Sequence, residues 1–104
     1  MRLHLSREAE RDIDEIARYT EQRWGKPARQ RYLRQITERL KALLANPELG
    51  PVRDDIRPGK RSLTAGRHIV FYRLAPDAVE IIRILHHAMD VQRRIEPAEE
   101  EEKP

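Results

Sequence analysis

The stretch "RSLTAGRHIVFYRLAPDAVEIIRILH", Arg61–His86, decides the fold. It contains three runs, Arg61 to Ala65, Arg67 to Leu74 and Ala78 to His86, parted by a glycine turn and by Ala75-Pro76-Asp77. Runs rich in β-branched and aromatic residues between turn signals read as strands. Along the second run Arg67, Ile69, Phe71 and Arg73 alternate with His68, Val70, Tyr72 and Leu74. Along the third, Val79, Ile81, Arg83, Leu85 and His87 alternate with Glu80, Ile82, Ile84 and His86. Side chains alternate across a strand, so neither run has a wholly polar face. Such a sheet requires cover on both sides.

Upstream of these strands lie the elements that can supply it. Arg2 to Leu5 reads as a short strand, and Ser6 as the cap of a helix. Ala9, Ile13, Ile16, Ala17, Thr20 and Trp24 then recur at helical spacing. Gly25 can end that helix, and Pro27 can open the next. Leu33, Ile36, Leu40, Leu43 and Leu44 give the second helix its stripe up to Ala45. Asn46-Pro47 stops it, since proline disfavours helix in the residue before it. The tight turn between them predicts a helical hairpin. The segment Asn46 to Lys60, with three prolines and two glycines, reads as a loop crossing from hairpin to sheet. The order is β-α-α-β-β-β. The fold class is α+β, an antiparallel sheet packed on the α-helical hairpin. The hairpin covers one face. Met89 to Ile95 reads as a short last helix, too small to cover the other. The remaining apolar surface points to a partner protein.

The charge divides the chain in two. The tail Glu96 to Pro104 holds five Glu and one Lys, a charge of −4. Residues 1–95 hold 20 Lys and Arg against 13 Asp and Glu, a charge of +7. The first part is read as the one folded domain, the second as an acidic, disordered tail. A basic body suits an anionic partner, nucleic acid or an acidic protein segment.

Several classes are excluded. No apolar run is long enough to span a membrane, and the first residues lack the apolar core of a secretory signal. A cytoplasmic location is expected. With no cysteine, disulfides and cysteine-ligated zinc are ruled out. His86 and His87 are neighbours and are expected on opposite strand faces, so no metal site is read, and no cofactor. There is no glycine-rich phosphate loop. Aromatic residues are too few for a base-stacking groove; Trp24 and Tyr32 are read as hairpin packing. Metal-free RNA cleavage needs a proton acceptor, a proton donor and cations around the phosphate. Arg61, Arg67, Arg73, Arg83, His86 and His87 are the residues that could supply them.

The segments "LSREAERDIDEIARYTEQRWG", "ANPELGPVRDDIRPGKRSLTAGRHIVFYRL" and "VEIIRILHHAMD" resemble the ParE branch of the RelE/ParE toxin superfamily. The resemblance runs over residues 2–95. It implies the β-α-α-β-β-β fold and the toxin half of a bacterial toxin–antitoxin pair. The implied partner is a cognate ParD-like antitoxin whose C-terminal segment fills a groove over the sheet, in a hetero-oligomer. Val70, Tyr72, Ile82 and Ile84 are the expected antitoxin contacts. The implied target is DNA gyrase, poisoned by binding and not by catalysis, with Arg67, Arg73, Arg83 and His87 expected to meet it. The alternative is a RelE-like, ribosome-dependent mRNA endoribonuclease. No tyrosine follows Tyr72, so the late tyrosine usual in that branch is missing.

Overall fold

The structure, a computed structural model, describes residues 1–87. The expected helix at Met89 to Ile95 and the acidic tail lie outside the described residues. Strand β1 (Arg2–Leu5) leads into helix α1 (Arg7–Trp24), then α2 (Lys26–Ala45). Strands β2 (Arg61–Ala65), β3 (His68–Ala75) and β4 (Ala78–His86) follow. No helix among the described residues is long and apolar enough to cross a membrane.

Local chemistry sets the helix ends. Ser6 accepts a hydrogen bond from Ala9 N at 3.0 Å and caps α1. The Gly25 N–H closes the same helix on the Glu21 carbonyl at 2.8 Å, and proline opens α2 in its first turn. Ala9, Ile16, Ile36, Leu40 and Leu43 from the hairpin pack on Leu63, Val70, Tyr72, Val79, Ile81 and Ile84 from the sheet.

The element order and the hairpin-on-sheet packing are as expected, and the sheet is antiparallel through β2, β3 and β4. The strand order is β1-β4-β3-β2, and β1 runs parallel to β4, so the sheet is mixed. Four residues with no hairpin turn beside them carry no directional signal in the sequence.

The expected alternation along β4 fails in its middle. Phe71 pairs with Arg83 and Tyr72 pairs with Ile81, which leaves Ile82 as the extra residue of a β-bulge. Val79, Ile81 and Ile84 therefore all enter the core under the helices. The start of α1 satisfies the interrupted ladder. The Ser6 hydroxyl donates to the Ile82 carbonyl at 2.7 Å, and the Asp12 carboxylate accepts from the Ile84 N–H at 2.9 Å. Asp12 also receives Nε and a terminal nitrogen of Arg83 at 2.9 and 3.0 Å. Its side chain is 8% exposed and that of Arg83 15%.

The loop after α2 does more than cross. Ile56 packs on Phe71 and Leu85, with Ile69 beside them, on the second face of the sheet. The Arg53 guanidinium lies 5.9 Å from the centre of the Phe71 ring. The same loop runs along the edge strand: Val52 bridges Arg61, and Ser62 N donates to the Pro51 carbonyl at 3.1 Å. The cover that the sequence pattern assigned to a partner is thus supplied in part by this chain.

Candidate functional site

The described end of β4 brings three histidines together. His68 opens β3 and pairs with His86 across the sheet, their rings 5.4 Å apart. The His86 and His87 rings are 4.4 Å apart. They do not point to opposite faces as a continuous strand would require. His87 follows the last strand residue, so the alternation no longer applies to it. Its N–H and its Nδ1 both lie 3.2 Å from the Arg67 carbonyl.

Tyr32, from α2, ties this end to the helices. Its hydroxyl accepts from Arg67 N at 2.9 Å and contacts His68 Nδ1 at 2.5 Å. The turn must carry glycine here. Gly66 has φ +61°, and a Cβ on it would lie 2.7 Å from the Tyr32 ring. Burial, reinforced by the nearby His86, lowers the His68 pKa from 6.5 to about 4. The ring is therefore neutral at physiological pH. Burial also raises the Tyr32 pKa.

The His68 shift has a consequence for stability. Between pH 6.5 and about 4 the unfolded chain takes up a proton that the folded His68 refuses. Stability then falls as pH drops through that window. The expected loss is about 1–2 kcal/mol, once solvent access to the ring is allowed for. Urea midpoints at neutral pH and at the acid end of the window measure it. His68→Gln should flatten that part of the profile, and an equally steep profile in the variant would contradict the assignment.

Beside the cluster, α1 and α2 enclose a cleft of about 630 Å³. Tyr19, Trp24, Arg31, Tyr32, Arg67 and His68 are among its walls. Trp24 is 54% exposed here and not buried in the hairpin turn as its place in the stripe suggested. Its neighbour Gly25 ends the helix before the ring can be covered.

The other expected site residues divide by place. Of the candidate nuclease set, Arg67, His86 and His87 meet at this end. Arg61 donates to the Gly50 carbonyl at 2.8 Å and holds the loop. Arg73 pairs with Glu80 across β3 and β4, and Arg83 pairs with Asp12. Val70, Tyr72, Ile82 and Ile84 are buried within the chain itself. The Tyr72 hydroxyl accepts from Gly50 N at 2.8 Å and donates to the Pro47 carbonyl at 2.9 Å. Residues without a sequence signal also belong to the site: Tyr32 and Arg31 lie on α2, far from β3 in the chain. Among the described residues no group of His, Cys, Asp or Glu is placed to hold a metal ion.

Comparison with known proteins identifies the family. The family model described as the ParE toxin of type II toxin–antitoxin system, parDE, matches residues 3–91. Toxin ParE1 of Mycobacterium tuberculosis is 39% identical over 92 residues, covering 88% of this chain and 94% of that protein. Toxin ParE1 of Caulobacter vibrioides is 37% identical over 91 residues, with the same coverage of 88% and 94%. A solved chain of the chromosomal ParDE toxin–antitoxin system from P. aeruginosa superposes with a TM-score of 0.73 at 26% identity, covering 83% of this chain and 95% of that one. On a match that spans nearly the whole described fold, the chain belongs to the ParE toxin family of type II toxin–antitoxin systems.

Proposed function

We propose that this toxin acts in the cytoplasm by binding DNA gyrase, and that a cognate ParD-like antitoxin neutralises it in a hetero-oligomer. The observation that carries the reading is the family match over residues 3–91. The solved ParDE system supports the antitoxin as partner by likeness. Arg67 and His87 are exposed at one end of the sheet and form the gyrase-facing surface, while Arg73, paired with Glu80 towards the other end, and Arg83, paired with Asp12, are proposed as contacts outside it. Arg83 reaches any target while paired to Asp12, so its role in binding depends on that ion pair. Val70, Tyr72, Ile82 and Ile84 are buried already. An antitoxin segment engages the fold around them, and substitutions there act through folding.

The test is inhibition of supercoiling by purified toxin, with and without the antitoxin. Arg67→Ala and His87→Ala should each weaken inhibition about tenfold or more, as loss of a charged or buried polar contact does. Both leave the core untouched. Full inhibition by the doubly substituted protein would remove this surface from the account. The convergence of Arg67, His68, His86 and His87 keeps mRNA cleavage as the second reading, tested by adding the toxin to a translation extract and mapping cuts.

A further inference from the structure

The cleft between the two helices and the histidine end of the sheet has a lining that gyrase binding leaves unexplained. Tyr19 and Trp24 stand 55% and 54% exposed at its mouth. Their ring centroids are 6.0 Å apart at an interplanar angle of 78°. The Arg23 guanidinium lies 5.6 Å from the Trp24 ring centre and 5.9 Å from that of Tyr19. Two large aromatics exposed side by side extend the apolar surface of the cleft, as at ligand-binding grooves. Arg31 and Arg67, both exposed, line the same cleft, and among the described residues no carboxylate does. The nearby Asp12 and Glu15 line a separate, smaller recess. A volume of about 630 Å³ lies within the usual range of small-molecule sites, about 300–1,000 Å³.

Flat aromatic rings and guanidinium forks lining one cleft select a ligand that carries both a planar group and an anionic one. We infer that the cleft binds a nucleotide, its base stacked on Trp24 and Tyr19 and its phosphate held by Arg31 and Arg67. Stacking on an aromatic ring tolerates any base, because each has a π-face. Guanidinium offers phosphate two parallel hydrogen bonds, which an ammonium group cannot. The neutral His68 ring lines the same cavity without adding a charge of its own. A free mononucleotide and one nucleotide of a single strand share this chemistry.

Trp24 is the only tryptophan of the chain, so its fluorescence reports on the cleft directly. The full-length protein is titrated with AMP, tetra-adenylate, adenosine, inorganic phosphate and a pentaglutamate peptide. AMP is expected to quench saturably and to bind more tightly than adenosine or phosphate. Tetra-adenylate binding well above AMP identifies a strand as the source; equal binding identifies the free nucleotide. Tyr19→Ala and Arg31→Gln change exposed residues, keep the fluorophore, and should each weaken AMP about tenfold. Circular dichroism confirms that both variants are folded. Three results overturn the inference: no saturable quenching by AMP or tetra-adenylate at millimolar concentration, phosphate or pentaglutamate binding as well as AMP, or AMP binding unchanged in both variants.

Discussion

Asp12→Ala should lower the unfolding free energy by about 3–5 kcal/mol, because it strands a buried partner of opposite charge. Asp12 holds three donors at once: two from Arg83 and the N–H of Ile84, all within 3.0 Å. Its removal leaves the guanidinium of Arg83 without its carboxylate and the bulged strand without a partner for Ile84 N. A domain of this size carries about 5–15 kcal/mol in total, so the variant should lose much of its cooperative transition. Arg83→Ala removes the other half of the pair and should cost a similar amount. The double variant should then cost clearly less than the sum, since the two residues share one interaction. Urea denaturation of the four proteins measures this cycle. Single losses under about 1 kcal/mol would place the pair among weak surface bridges instead. The cycle also bears on function. A loss of toxicity in Arg83→Ala counts as a target contact only for the fraction of the variant that remains folded.

Gly50→Ala is the second large effect expected. Gly50 is buried where the loop meets the edge strand, and a Cβ there would lie 2.2 Å from the Ser62 carbonyl oxygen and 2.8 Å from the Tyr72 hydroxyl. Ser62 belongs to β2 and pairs with Phe71, while Tyr72 is fixed in the core. Neither can withdraw cheaply, so the loop must move. The Gly50 N–H to Tyr72 bond, the carbonyl contact to Arg61 and the Val52 bridge all depend on its position. Overpacking of about 1–3 kcal/mol and a severed buried hydrogen bond of about 1–3 kcal/mol give about 2–6 kcal/mol in all. Limited proteolysis should cut within residues 46–60 well before the helices. A variant as stable and as resistant as the parent would mean that the loop does not clasp the sheet here.

These two sites also mark where the sequence stopped being legible. Stripes at helical spacing and the β-branched runs of Arg61–His86 place every described helix and strand within a residue or two. A lone Asp in a polar helix reads as solvated, so nothing singles out Asp12 before β4 is seen beside it. The bulge at Ile82 has no composition signal, yet it reassigns Ile84 to the core and separates the strand's arginine from its expected face. A one-residue shift reverses every side chain beyond it. The loop's proline and glycine content identifies irregular backbone but not Ile56, whose burial closes the second face. Of the site, Arg67, His86 and His87 were visible as candidates on one strand pair. Tyr32, Tyr19 and Arg31 were not, because only the hairpin's packing angle carries them to that end.

Gyrase inhibition by binding, as proposed for this ParE-family chain, is tested on the enzyme itself. The most direct measurement is supercoiling by purified gyrase at rising molar excess of toxin, run beside a translation extract programmed with a defined mRNA. Supercoiling should be lost, cleaved DNA should accumulate, antitoxin should reverse both, and the message should stay intact. Undiminished supercoiling at large excess, with cuts appearing in ribosome-bound message, would contradict the proposal.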